Sequence, residues 1–262
     1  MINDTLYYRF IECDSNKKWF NRRKKINLQD VEGGAGILKD GLIMIDTDTD
    51  KDSELLLLLL DKLKCRCNIV STLHGIHAIF KKPNDYYVKS DSKYETVTGI
   101  IVDVKQGRKS VINSDIDIVK RYGKEMETIQ YCTIDELDEL PWQLRVFNSR
   151  LNLQQAQEGS GRHSIHQRLL GRWQEYVNSD AKEALRWVQW VNDYVFAVPR
   201  ESVNWKLNNV QDWYDAHPVM GLQEPKTLSD VISLLNDIDS REMNKIYSYV
   251  CTNFDRGGDN ND

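Results

Sequence analysis

Asp46, Asp48, His77 and Asp103 are the residues whose types and positions could do chemistry. Asp46 and Asp48 stand in the stretch Asp46-Thr47-Asp48-Thr49-Asp50, directly after the apolar run Leu42-Ile43-Met44-Ile45. Alternate residues of a strand share a face, so the two carboxylates point the same way, about 7 Å apart at their Cα atoms. Two carboxylates at the end of a buried strand repel each other and are costly to bury. A divalent cation resolves both problems, and aspartate oxygens are the hard ligands that Mg²⁺ and Mn²⁺ prefer. The competing reading is a solvated turn that caps the following helix near Ser53. His77 lies inside the apolar segment 76–80, and Asp103 inside 100–105. An unpaired carboxylate buried in a Val/Ile strand costs on the order of several kcal/mol. One arrangement explains all these anomalies: the strands are neighbours, and their polar groups converge on one metal-bearing site. Three carboxylates around two divalent ions, with an imidazole near a phosphate oxygen, would suit phosphoryl transfer to a nucleotide.

The elements that must position these groups follow from periodicity. Residues 5–12 alternate as a strand, and Gly33-Gly34-Ala35-Gly36 marks a tight turn or a close backbone approach. A strand over 42–46 leads into a leucine-rich helix over 53–64. Segments 68–72 and 76–80 read as strands joined by Leu73-His74-Gly75. Residues 96–105 read as one long strand, with a turn at Gln106-Gly107-Arg108-Lys109 and a return over 110–113. Thr133 and Glu136 have capping-box spacing for a short helix before Pro141. From about Ser160 the period is helical, with helices over 163–177, 180–195, 228–237 and 241–252. Tryptophans 173, 187, 190, 205 and 213 fit the core of this half. The expected organisation is a domain over 1–153, a helical domain over 160–254 and a disordered polar tail over 255–262.

The order of the motifs resembles the archaeo-eukaryotic primase superfamily, in its phage and plasmid primase-polymerase branch. The matching residues are Asp46 and Asp48, then Ser71-Thr72-Leu73-His74-Gly75-Ile76-His77-Ala78-Ile79-Phe80, then Ile101-Val102-Asp103-Val104. Gly34-Ala35-Gly36-Ile37-Leu38 is similar to that branch, and Gly161-Arg162-His163 with Leu169-Leu170-Gly171 resembles its C-terminal helical module. The sequence departs from the pattern at His74, where relatives often carry glycine, and at His163, where they often carry asparagine. The resemblance implies an α+β fold: a two-layer primase-type catalytic core with an RNA-recognition-like sheet, followed by an all-helical C-terminal domain. It implies templated nucleotidyl transfer, making or extending primers on a single-stranded DNA template from nucleoside triphosphates. Asp46, Asp48 and Asp103 would hold Mg²⁺ or Mn²⁺, and His77 would contact the triphosphate. Ser71, Lys81, Lys105 and Arg108 are the expected nucleotide contacts. Lys109, Arg162 and Arg168 are the expected template or primer contacts. No G-x4-G-K-[ST] motif occurs in the sequence, so strand separation is expected from a separate replicative helicase.

The 262 residues carry a net charge of −5, with 40% hydrophobic and 29% charged residues. That balance is ordinary for a globular protein and argues against indiscriminate DNA binding by the whole surface. The longest apolar run, the six leucines of 55–60, is far below membrane-spanning length, and the N-terminus lacks a signal-peptide layout. No membrane contact and a cytoplasmic location are expected. The five cysteines give no disulfide framework. Cys65, Cys67, His74 and His77 could be drawn as a zinc set, at a spacing tighter than structural zinc sites use. Two other functions use a related sheet: a catalytically silent replication or partner-binding module, and a rolling-circle nicking endonuclease. The second needs two histidines flanking a single apolar residue, whereas His74 and His77 straddle a turn.

Overall fold

Leu42–Thr47 forms a strand, β3, that is buried along its whole length at the middle of a sheet. The structure is a computed structural model; it describes residues 3–14, 16, 18, 24–86, 88–106, 116–121, 124–146, 151–156, 162–196, 203 and 205–219. The chain order before β3 is β1 (Tyr7–Glu12) and β2 (Gly34–Leu38). After it come α1 (Asp50–Leu63), β4 (Asn68–Ser71), β5 (Ile76–Lys81), β6 (Asp91–Glu95) and β7 (Ile101–Gln106). There follow β8 (Ile116–Arg121), β9 (Lys124–Glu125), β10 (Glu127–Gln130), α2 (Arg162–Trp173), α3 (Ala181–Tyr194) and α4 (Leu207–Ala216). The architecture is α+β, with two antiparallel sheets and four α-helices among the described residues.

The larger sheet runs β10-β4-β5-β3-β7-β6. β3 and β4 are each antiparallel to β5, which lies between them, so β3–α1–β4 is a split βαβ unit. The smaller sheet runs β1-β2-β8-β9. Alternation gives β3 two different faces. Leu42 and Met44 pack with Leu6, Tyr7, Leu38, Ile79 and Val119, which joins the two sheets in one core. On the opposite face, the Thr47 hydroxyl meets the Ser53 hydroxyl of α1 at 2.8 Å.

α1 begins earlier than the apolar pattern alone suggests. Thr49 caps it, accepting the Asp52 N–H at 3.1 Å, so Asp50 and Asp52 lie in the first turn, where the helix dipole favours acids. It ends at Lys64, which is left-handed at φ 53°. Leu55, Leu56, Leu59 and Leu60 are buried. The glycine-rich segment is strand rather than turn. A Cβ on Gly36 would come within 2.4 Å of the Tyr7 ring, so the missing side chains admit close packing between strands. The expected long strand over 96–105 is broken. Gly99, at φ +90°, reverses the chain and makes a hairpin of β6 and β7. Thr133 and Glu136 form half of a capping box, the Thr133 N–H and hydroxyl both donating to the Glu136 carboxylate at 2.8 Å, around a turn and not a helix. The return strand over 110–113 lies outside the described residues.

The described residues of 1–83, 88–162 and 190–201 form one compact unit, and those of 84–87, 163–189 and 202–262 another. In the second unit Trp173 and Trp187 are fully buried. The Tyr214 hydroxyl donates to the Leu170 carbonyl at 2.8 Å, which ties α4 to α2. Asp180 caps α3 by accepting the Lys182 and Glu183 N–H groups. The helix α4 was not legible from periodicity, and the expected helices 228–237 and 241–252 and the tail 255–262 lie outside the described residues. No helix among the described residues is long and apolar enough to cross a membrane.

Candidate functional site

Three strands bring the polar residues into register. Asp46 on β3 is paired with His77 on β5 and, on its other side, with Asp103 on β7. Directly opposed residues share a face, so the three side chains form one row. The row faces the smaller sheet, as Met44 and Ile79 do. Asp48, just past the end of β3, is exposed, and Asp103 is half-buried.

A buried chain of ionic contacts runs through the row. Lys105 donates to Asp46 Oδ2, and His77 Nε2 stands 3.3 Å from Asp46 Oδ1. The other imidazole nitrogen, Nδ1, lies 2.5 Å from Asp117 Oδ1 on β8. That contact is close but too poorly directed to count as a hydrogen bond. Tyr7 of β1 donates its hydroxyl to Asp117 Oδ2. Gly36 pairs with Asp117 across β2 and β8 and leaves room for the Tyr7 ring.

Burial alone would discharge His77, but the Asp117 and Asp46 carboxylates outweigh it and push the imidazole up to about 9. Burial likewise opposes ionisation of Asp46 and Asp117. His77 and Lys105 overcome it and hold both carboxyls below the usual carboxylate range. Lys105 is raised, the Asp46 and Asp117 carboxylates prevailing over its burial. Asp103 shifts the other way. Burial raises it, and repulsion from Asp48 and Asp46 adds to that, against the Lys93 N–H it accepts at 2.8 Å and the Lys105 charge.

The donor chemistry fits a hard divalent cation. Asp46 and Asp48 are near enough to Asp103 for their charges to act on it. The Lys105 ammonium already supplies one positive charge to Asp46. In the present side-chain arrangement, no three ligating groups among the described residues surround one point.

Other expected site residues are not brought to the row. Ser71 pairs with Ile76, one residue out of phase with His77. Strand alternation therefore puts Val70 beside His77 and turns Ser71 to the opposite face, off the row. Lys81 shares the His77 face, but lies four residues along β5, roughly 13 Å away. Its ammonium donates to the Asp135 carbonyl at 2.9 Å. Lys105 reaches the row, although its partner is Asp46 and not a phosphate. Arg108 and Lys109 lie outside the described residues. Arg162 opens α2, and its side chain lies outside them too; Arg168 is exposed on the same helix. His77 is engaged by two aspartates and His74 is exposed in the β4–β5 turn, so the zinc set with Cys65 and Cys67 does not assemble. Sequence reasoning missed Asp117 and Tyr7. Asp117, set in Ile116-Asp117-Ile118-Val119, carries the same signal that singled out Asp103.

No protein-family model and no curated protein matches the chain.

Proposed function

We propose that the protein is a metal-dependent, templated nucleotidyltransferase that makes or extends primers on single-stranded DNA in the cytoplasm, a primase-polymerase. One observation carries this reading: Asp46, His77 and Asp103 stand in register on three adjacent strands, with Asp48 at the open end of the row. The split βαβ unit flanked by β7, and the second sheet packed on its face, support the two-layer core that the motif resemblance implies. In this reading Asp46, Asp48 and Asp103 would hold Mg²⁺ or Mn²⁺. Bound there, the ions supply the charge that activates a 3′-hydroxyl and neutralises a triphosphate.

The protein's own groups do the rest. His77, clamped by Asp117 and Asp46, keeps a positive charge fixed beside the carboxylates. Lys105 reaches the same row on a flexible stem, from which a substrate phosphate would draw it off Asp46. Arg108, Lys109, Arg162 and Arg168 remain the proposed template and phosphate contacts. Nucleoside triphosphates, a single-stranded template and a separate helicase are the proposed partners.

Asp48→Ala tests this most cleanly, because Asp48 is exposed. Manganese-dependent incorporation on single-stranded template should fall by about a hundredfold or more, with an unchanged melting temperature. Full activity would refute the assignment.

A second reading, a silent replication or partner-binding module, is favoured by one fact: both Asp46 oxygens are already engaged. Calorimetric titration of Mn²⁺ with nucleotide present separates the two. The enzyme should bind the ion in a manner that Asp48→Ala weakens, and the silent module should not bind it.

A further inference from the structure

Cys65 and Cys67 flank Arg66 in the short link between α1 and β4, and that link is pinned along its length. The Cys65 N–H donates to the Leu60 carbonyl at 3.1 Å, where α1 ends. Gln130 Nε2 donates to the Cys65 carbonyl at 3.3 Å. The Arg66 N–H donates to Asp138 Oδ2 at 2.8 Å, and the Arg66 carbonyl accepts the Asp138 N–H at 2.8 Å. The Arg66 guanidinium adds two donations to Asp138 Oδ1, from Nε at 3.1 Å and from Nη2 at 2.7 Å. Both main-chain groups of Arg66 thus point to one side, as in a strand. Its side chain leaves one face of the chain, and those of Cys65 and Cys67 leave the other together. In such an extended link their Cα atoms are about 6.7 Å apart, at the upper end of what a disulfide accepts.

The two thiols differ in reach and in chemistry. Cys65 is half-buried, and Cys67 is fully buried. The Cys67 thiol donates a hydrogen bond to the Cys65 sulfur, which lowers the Cys65 thiol with help from the Arg66 guanidinium, against burial and the Asp138 carboxylate. The same hydrogen bond, with burial, pushes Cys67 up. Cys65 is therefore the sulfur that reaches the thiolate, and Cys67 the one that keeps its proton. The Cys132 thiol, also buried, is engaged elsewhere and accepts Gln130 Nε2 at 3.7 Å.

We propose that Cys65 and Cys67 form a peroxide-sensitive thiol pair that closes to a disulfide and reopens with a thiol reductant. The Cys65 thiolate attacks one oxygen of a hydroperoxide and breaks the O–O bond, leaving a sulfenic acid at Cys65 and releasing hydroxide or alkoxide. Cys67 then attacks the Cys65 sulfur. The S–O bond breaks, the S–S bond forms, and the hydroxyl leaves as water with the Cys67 proton. The two sulfurs together lose two electrons, and the peroxide gains them. Neither sulfur belongs to the carboxylate row, so this pair and the nucleotidyl-transfer reading stand or fall separately.

The test treats the full chain with a small excess of hydrogen peroxide, alkylates the remaining thiols in denaturant, and maps disulfides by mass after cleavage at Lys64 and Arg66. The peptides that carry Cys65 and Cys67 should stay joined and come apart on reduction with dithiothreitol. Cys132→Ser should leave the bridge in place. In Cys67→Ser the sulfenic acid at Cys65 has no resolving thiol, and dimedone should capture it in roughly tenfold greater yield than in the wild type. Should Cys67→Ser fail to fold, the wild-type map decides alone. Cys65 left unbridged after peroxide, or bridged to Cys132 or Cys251, overturns the assignment.

Discussion

Asp46 stands between two cations, so replacing it strands both. Breaking a buried pair from one side costs on the order of 3–5 kcal/mol. Asp46→Ala should lose about that much unfolding free energy, while exposed Asp48→Ala should lose almost none; urea unfolding of the two variants makes the comparison. Activity loss in Asp46→Ala is thus partly a folding effect, and Asp48 is the better probe of chemistry. His77 gives the metal-free protein a signature in pH. Its folded pKa, about 9, lies above its ordinary 6.5. Its stabilisation is therefore fully present below pH 6.5 and is lost as the pH rises through about 9, a change of roughly 3 kcal/mol. Chemical unfolding in EDTA should show that decline, and His77→Gln should remove it. Asp46, His77 and Asp103 are legible in sequence because a charged or imidazole group amid branched apolar strand residues is an energetic anomaly. Tyr7 is not, because a tyrosine at the head of a strand is ordinary packing until its partner is known. Lys105 carries a charge that sequence can see and a partner that it cannot.

Register is the device at the scale of elements, and Gly75 protects it. A Cβ on Gly75 would fall 1.7 Å from the Thr47 carbonyl oxygen, where β5 begins beside the end of β3. Backbone cannot yield there without moving His77 relative to Asp46. Gly75→Ala should cost about 3 kcal/mol or more and most of the activity. Gly41 is the control. Its φ is +78°, yet nothing lies within 4 Å of an added Cβ, so Gly41→Ala should cost only about 1–2 kcal/mol of left-handed strain. Thermal unfolding of the pair separates crowding from strain; equal losses would contradict this account. The short strands β3, β4 and β5 and the leucine helix follow from local period. The β6–β7 hairpin does not, because one glycine at positive φ inside a β-branched run looks like an interruption and acts as a reversal. The helix α4, with LNNVQDWYDA, is short and rich in polar residues, and packing rather than propensity holds it.

At the scale of the molecule, the unit that contains the row takes back a late piece of chain. The described residues of 190–201 belong to it, among them the fully buried Val191 and Val195. A Cβ on Gly99 would lie 2.8 Å from Val195 and 2.9 Å from Leu153, so this segment closes over the β6–β7 turn. A boundary read over 154–161 leaves this segment outside the first domain, since helical period marks where helices start and not which core they join. A chain ending at 160 should be less stable by several kcal/mol than one ending at 201, given roughly 1.5–3 kcal/mol for each large apolar side chain uncovered. Calorimetric melting of the two fragments checks this. The Tyr7–Asp117 hydrogen bond spans 110 positions of chain. At ribosomal rates of about 5–20 residues per second, Tyr7 waits roughly five to twenty seconds for its acceptor to be synthesised. During that interval the nascent polypeptide carries β1 and the Asp46 strand without the aspartate that balances the His77 charge, and a chaperone has its clearest opportunity to hold them apart.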